Sequence, residues 1–214
     1  MAGRKQIRLE YFYRELRQKH QVLMDGKKPV GGQWNFDADN RSAYPKRGKQ
    51  AGPGQIPAPA GFAPDALTLE VMELVQSTFA EHPGALDDFV WPVTREQALH
   101  ALSVFVATRL PKFGLYQDAM WTETPFGWHA LLSTSLNLHL LDPREVIAAV
   151  ETAYRAGQVP LPSAEGFIRQ ILGWREFIRG MYWLDMPGMK EANHYQHTRA
   201  LPRWFWTGDT QMQC

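Results

Sequence analysis

The chain has 214 residues, of which 44% are hydrophobic and 21% are charged, and its formal net charge is +1. This composition is typical of a globular protein that buries a core, as one domain or as one domain with an arm. The small net charge excludes a global electrostatic attraction to nucleic acid, so any DNA binding depends on a local patch.

The sequence shows no membrane-spanning or secretory segment. No run of eighteen apolar residues occurs, and the basic residues at 4–5 lead into an amphipathic segment and not into a signal-peptide core. We therefore expect a soluble, cytoplasmic protein with no membrane partner, and the pattern does not determine an oligomeric state. The only cysteine, Cys214, excludes internal disulfides, and a metal site cannot be completed within this chain.

The first part of the chain is predicted to be a helix followed by a loop. Apolar residues recur between charged ones over 4–25, which predicts a surface helix with one buried stripe. The glycine- and aromatic-rich stretch 31–41 has no clean period and is predicted to be an ordered loop. We favour anchoring of Trp34 and Phe36 in a core over direct contact with a ligand.

Residues 43–65 are rich in proline and glycine and carry three basic side chains. Such a segment does not pack regularly, and we interpret it as an extended, solvated linker. Contact of its basic cluster with a phosphate backbone is the alternative. The predicted organisation is a helix and loop over 1–42, this linker, and a helical domain over 66–214.

The rest of the chain is predicted to be helical, which makes the fold class all-α. Apolar residues at helical spacing predict helices at 66–82, Thr94–Pro111, 142–155 and Ser163–Trp183. Two of these begin with a capping box, formed by Thr94 with Gln97 and by Asp142 with Glu145. The last helix is long and largely apolar, so we expect it to be central.

The stretch from Phe113 to Glu145 holds the candidate cofactor site. Ser133, Thr134 and Ser135 lie between apolar residues, where a helix N-terminus leaves backbone N–H groups free to hold a phosphate. The pattern therefore predicts a helix, a sharp corner and a second helix. Without further information, an ordinary helix corner with serine caps is the favoured interpretation.

Three motifs, in this order, resemble the flavin-binding helical domain of the cryptochrome/photolyase family. They are Tyr116-Gln117-Asp118-Ala119-Met120, the segment Leu132–Leu136 with Asp142-Pro143-Arg144-Glu145, and Gly173-Trp174-Arg175-Glu176-Phe177. The loop at 31–41 is similar to that of the bacterial iron–sulfur branch, the photolyase-related proteins that include (6-4) photolyases. Full-length members are much longer, so the resemblance implies a partial chain. It would lack the N-terminal antenna domain and the C-terminal part of the catalytic domain.

The resemblance implies an FAD site on the helical domain at 66–214. The residues that match the family's flavin-binding pattern or lie beside it are Tyr116, Leu132, Ser133, Thr134, Ser135, Leu136, Asn137 and Arg144. Ala130 and Leu131 occupy positions where relatives often have a phosphate-contacting serine and a basic residue, which would weaken binding. Cys214 is similar to the first of four ligands of a [4Fe-4S] cluster in full-length relatives.

The resemblance also implies that the helix 163–183 faces damaged DNA. Gln170 and Trp174 match the lesion-contacting, catalytic positions, and Trp174, Arg175 and Arg179 match DNA-binding ones. An aromatic ring beside a guanidinium suits a flipped-out base, because the ring stacks on the base while arginine holds a phosphate. Gly173 puts Gln170 four residues before Trp174, where several relatives have three. On the pattern alone, a surface ion pair between Arg175 and Glu176 and a core Trp174 is the first explanation.

The implied function is light-driven repair of UV-induced pyrimidine dimers in DNA, of the (6-4) photoproduct type. Reduced FAD would donate the electron, UV-damaged DNA would be the partner, and the chain would be a truncated form. Two alternatives stay open. One is a cryptochrome-like blue-light-sensing flavoprotein, and the other is an inactive helical fragment that binds no cofactor.

Overall fold

The structure, a computed structural model, describes residues 6–48, 51–82 and 84–212. About half of it is helical, and the described residues form only two strands of two residues each, which confirms the predicted all-α class. The α-helices are α1 (Leu9–His20), α2 (Ala66–Thr78), α3 (Arg95–Val104), α4 (Leu110–Tyr116), α5 (Ser133–Asn137), α6 (Pro143–Arg155), α7 (Leu161–Ile168), α8 (Glu176–Asp185), α9 (Gly188–Glu191) and α10 (Trp204–Thr207).

The remaining regular elements are short. Strands β1 (Met24–Asp25) and β2 (Lys28–Pro29) pair antiparallel, and a 3₁₀ turn spans Val30–Gly32. Two π-helical segments, Phe105–Arg109 and Arg169–Arg175, join α3 to α4 and α7 to α8. We call them the first and the second π segment.

The chain folds as two compact units. The first unit comprises the described residues up to Phe62 and those of Trp91–Met181, and the second comprises those of Ala63–Val90 and those from Tyr182 onward. The division at 42 and 65 stays a prediction. The described part of the segment 43–65 forms neither helix nor strand.

The core of the first unit lies where α4 packs against α7. Phe105, Phe113 and Phe167 meet there, with ring centroids 4.8 to 6.2 Å apart. α1 packs against the second π segment, and α6 packs against α7. This arrangement fixes the helix that carries the predicted lesion-contacting residues from two sides.

Asn40 of the loop 31–41 is buried between α4 and α7. Its Nδ2 donates to the carbonyl oxygen of Pro162 at 2.8 Å. Glycine makes room for it on both helices, because a Cβ at Gly114 would lie 2.6 Å from Asn40 Oδ1 and one at Gly166 would lie 2.8 Å from Asn40 Nδ2. The loop is therefore anchored in the core through Asn40 as well as through the buried ring of Phe36.

The helix from Thr94 was predicted to end at Pro111, and this boundary is wrong. α3 starts with the predicted capping box, but the helix continues through the first π segment into α4. Pro111 stands in the first turn of α4. The N–H of Leu110, the residue before it, still bonds to the carbonyl oxygen of Phe105, so the helix runs on through the proline.

The helix predicted over Ser163–Trp183 begins two residues earlier, at Leu161, and is interrupted by the second π segment. Its central position holds for α7, where six of the eight residues are buried, and fails for α8, which has none. α1 is shorter than the predicted 4–25. Its helical geometry ends because Gln21 adopts a left-handed conformation at φ 57°.

The second unit is built from α2 and the short helices of the tail. The carboxylate of Asp65 caps α2 by accepting the backbone N–H of Thr68 at 2.8 Å. α2 ends at Thr78, four residues before the predicted boundary. Across both units, no helix within the described residues is long and apolar enough to span a bilayer.

Candidate functional site

The corner that holds α5 is formed by backbone conformations that are rare outside glycine. Leu131, just before the helix, and His139, just after it, both lie in the left-handed region, at φ 57° and 59°. Leu132 and Leu136 are buried in the hydrophobic core. The two leucines therefore fix the corner, and their side chains are enclosed by protein.

The three hydroxyl residues of α5 differ in accessibility. Ser133 is exposed, Thr134 is half-buried and Ser135 is fully buried. The Oγ1 atom of Thr134 and the Oγ atom of Ser135 have no hydrogen-bond partner among the described residues. No side chain caps the N-terminus of α5. The hydroxyls of Thr134 and Ser135 are thus buried and unpartnered, and only that of Ser133 belongs to an exposed residue.

The structure brings predicted flavin-binding and DNA-binding residues together at one contact. Nη2 of Arg175 donates to Oδ1 of Asn137 at 2.8 Å, which links the second π segment to α5. Arg175 is half-buried and Asn137 is exposed. This pair joins the two halves of the candidate site, 38 residues apart in sequence.

Trp174 precedes Arg175 in the sequence and is 45% exposed. Its ring meets Phe177 edge-to-face, and Phe177 meets Phe12 of α1 in the same way, with centroids 6.3 and 5.8 Å apart. Gln170 is also exposed, and its Nε2 is 3.4 Å from the carbonyl oxygen of Gly166. Both predicted lesion-contacting side chains are therefore open to a ligand.

The explanation that the pattern alone favoured for this helix is wrong. Trp174 is not a core residue, because nearly half of its surface is exposed. Glu176 pairs with Arg179, at 2.9 Å, while Arg175 bonds to Asn137. Arg179 is thus bound to its own helix, whereas Arg175 reaches across to α5.

The geometry of the second π segment explains why Gln170 precedes Trp174 by four residues. A π turn closes through i→i+5 bonds and so holds one residue more than an α turn. The extra residue corresponds to Gly173, which is buried against α1: a Cβ there would lie 3.2 Å from Cγ of Arg169 and 3.4 Å from the ring of Tyr13. The second π segment therefore packs Gly173 against α1 and leaves Gln170 and Trp174 exposed.

Two predicted flavin-binding residues lie elsewhere. Arg144 is highly exposed and pairs with Asp142 at 2.5 Å; this hydrogen bond lowers the pKa of the Asp142 carboxyl to about 2. Arg144 and Arg179 both line a cleft of about 640 Å³ between the end of α1, α6 and the second π segment. Tyr116 packs on Tyr44, with ring centroids 4.7 Å apart. Neither residue shares the contact between Asn137 and Arg175.

The sequence analysis did not predict the cluster of polar side chains that Glu165, Arg169 and Asp37 form. The carboxylate of Glu165, which is fully buried, accepts the backbone N–H of Phe36 at 3.2 Å and lies 3.4 Å from Nε of Arg169. Arg169 also pairs with Asp37. Burial raises the pKa of Glu165, and the hydrogen bond from Arg169 lowers the pKa of Asp37. The cluster ties the loop 31–41 to the helix that carries Trp174.

Arg17 of α1 completes this cluster. Its fully buried guanidinium donates to the carbonyl oxygens of Val22, Leu23 and Trp34, at 3.2, 2.6 and 3.0 Å. Burial, together with the charge of Glu165, raises the pKa of the neighbouring Tyr13. The one sequence signal for the cluster is the spacing of Glu165 and Arg169, which places an ion pair on one face of an otherwise apolar helix.

Comparisons with known proteins identify relatives of this chain. The family model of deoxyribodipyrimidine photo-lyase-related proteins matches residues 1–91. Over all 214 residues the chain is 47% identical to the (6-4) photolyase of Agrobacterium fabrum, and it spans 41% of the length of that protein. The chain belongs to the photolyase-related protein family.

A viral protein is also similar to this photolyase-related chain. The chain is 30% identical over 100 residues to an uncharacterized protein of Acanthamoeba polyphaga mimivirus; the match covers 46% of this chain and 76% of the viral protein. The predicted cluster ligand Cys214 lies outside the described residues. Within those residues, no group of three or more His, Cys, Asp or Glu side chains is placed to hold a metal ion.

Proposed function

We propose that this photolyase-related chain binds FAD where α5 meets the second π segment and takes part in light-driven repair of pyrimidine dimers in DNA, of the (6-4) type. The observation that carries the proposal is the hydrogen bond between Asn137 and Arg175. It places a guanidinium at the last residue of α5, and Trp174, the neighbour of Arg175 in sequence, is exposed.

The donors at this contact suit a diphosphate. Arg175 offers N–H groups in addition to the one that Asn137 accepts, and Ser133 is an exposed residue with a hydroxyl. The fully buried Ser135 would support the corner from inside. FAD, when bound, would supply the light-driven electron transfer, and the protein would supply binding and orientation.

The exposed side chains of the second π segment support recognition of a flipped-out base. Trp174 presents a ring on which a base can stack, and Gln170 presents an amide that can bond to the edge of a base. Arg175 would then lie between flavin and DNA. Arg179 is bound by Glu176, so we expect it to contribute less to DNA affinity.

The chain spans 41% of the length of its (6-4) photolyase relative, so repair activity is a proposal for this chain and is not carried over from that relative. The light-sensing function and the cofactor-free fragment are therefore outcomes that the experiment must separate.

The first test is an absorption titration of the 214-residue chain with FAD. Arg175→Met removes a charged donor, and the loss of one such bond costs about 1.5–3 kcal/mol, which corresponds to roughly a 10- to 100-fold weaker affinity. Arg155→Met is the matched control, because Arg155 is an exposed arginine on α6 that pairs with Glu151. Equal FAD affinity in both variants would contradict the proposed site.

The second test separates the three functions. The flavin-loaded chain is illuminated with oligonucleotides that carry a (6-4) photoproduct or a cyclobutane dimer. Repair of the first lesion, lost in Trp174→Ala, supports the proposal. Photoreduction of the flavin without repair would indicate a light sensor, and a chain that retains no flavin would be a helical fragment without cofactor.

A further inference from the structure

Arg109 is a buried cation with fewer partners than its charge requires. Its side chain, at the end of the first π segment, is 2% exposed. Nη2 donates to the carbonyl oxygens of Phe126, at 3.4 Å, and Gly127. Nε and Nη1 are buried and have no acceptor among the described residues. A guanidinium remains charged in proteins, so this charge needs a counter-charge or further acceptors.

No carboxylate among the described residues forms an ion pair with Arg109. Its charged and titratable neighbours are Tyr44 and His129. Burial and the charge of Arg109 lower the pKa of His129. The hydroxyl of Tyr44 is itself buried without a partner, 3.5 Å from where a Cβ at Gly127 would lie. Among the described residues, this neighbourhood therefore supplies no negative charge to the guanidinium.

A cavity of about 20 Å³ adjoins Arg109, and residues 130–131 form part of its wall. The other lining side chains are apolar or aromatic, and none carries a hydrogen-bond acceptor. The volume suffices for one particle the size of a water molecule. A water molecule there would find no side-chain acceptor for its own hydrogens, whereas a small anion needs only donors and a positive charge.

We propose that Arg109 binds one monatomic anion, chloride, in this cavity. The size of the cavity excludes a phosphate group, so the site differs from the proposed FAD site. The anion neutralises the guanidinium inside the first unit and accepts the hydrogen bonds of Nε and Nη1.

The proposal is tested by thermal unfolding of the chain in sodium chloride and in sodium gluconate at equal ionic strength. A ligand that binds only the folded state raises the Tm with its concentration. The wild type and Arg155→Met are expected to show a chloride-dependent rise in Tm, and Arg109→Met is expected to lose it. The same response in Arg109→Met and the wild type would overturn the proposal.

A second measurement needs no variant. Crystals of the wild-type chain grown in sodium bromide are expected to show an anomalous peak within contact distance of Nε and Nη1 of Arg109. Bromide peaks confined to the surface would refute the site even if Arg109→Met fails to fold. Neither measurement depends on flavin.

Discussion

Gly114 controls how closely α4 approaches α7. It is a helical glycine whose Cβ, if present, would lie 2.6 Å from Cα and 2.8 Å from N of Ser163. Both atoms belong to the backbone, so no rotation of a side chain relieves the contact. Gly114→Ala is therefore expected to force the two helices apart.

The magnitude follows from two opposing effects. Ordinary contact for a Cβ begins at 3.4 Å, so the shortfall is 3.4 − 2.6, about 0.8 Å. Overpacking of a well-packed core costs roughly 1–3 kcal/mol, and the separation also strains the bond from Gly114 N–H to Ser163 Oγ, now 2.9 Å. Alanine in place of glycine in a helix stabilises by about 1 kcal/mol. We expect a net loss of about 1–2 kcal/mol in the free energy of unfolding.

The assay is urea unfolding followed by circular dichroism, with Gly180→Ala as the matched control. Gly180 is an exposed helical glycine of α8, and a Cβ there would meet no atom within 4 Å. The control is expected to gain about 0.5–1 kcal/mol in the free energy of unfolding. If Gly114→Ala were as stable as Gly180→Ala, the close approach of α4 and α7 would be refuted.

Three further substitutions test other elements. Arg169→Met leaves the carboxylate of Glu165 buried without its adjacent cation and is expected to cost about 3–5 kcal/mol in urea unfolding; a loss below 1 kcal/mol would contradict the buried pair. The pKa of Asp142 is lowered to about 2 from 3.8, so its stabilisation is present above pH 3.8 and is lost as the pH falls through 2. Asp142→Asn is expected to flatten that part of a stability curve measured from pH 2 to 5, and an unchanged slope would count against the pairing with Arg144. Thr94→Ala removes the cap of α3 and is expected to cost about 1 kcal/mol in thermal unfolding; no change in Tm would show that the cap is dispensable.

Local signals predicted the helix starts well. The capping boxes at Thr94 and Asp142 are both formed, because each depends on side chains within four residues of one another. Proline was a less reliable signal. Pro162 stands in the first turn of α7, where the missing N–H has no cost, whereas Pro111 lies in a helix that continues from the first π segment.

The second π segment and the buried charges could not be predicted from spacing. A π segment hardly changes the spacing of apolar residues, so the sequence does not reveal it. From the sequence, Gly173 shows only as one more residue between Gln170 and Trp174 than several relatives have. Its role becomes visible once Tyr13, 160 residues earlier in the sequence, is seen to pack against it. The contact between Asn137 and Arg175 is equally non-local, and the pattern alone offered Glu176 as the nearer partner.

The loop at 31–41 contributes no residue to the proposed FAD site, but it is attached to the helix that carries Arg175. Phe36 bonds through its N–H to Glu165, Asp37 pairs with Arg169, and Asn40 bonds to Pro162, so three loop residues are attached to α7 or to the start of the second π segment. These attachments lie directly before the exposed side chains of that segment. By holding α7, the loop fixes the orientation of the second π segment as it leaves that helix. This orientation determines whether the guanidinium of Arg175 reaches Asn137 of α5. The contacts of Phe36, Asp37 and Asn40 to this helix thus give the loop a structural role.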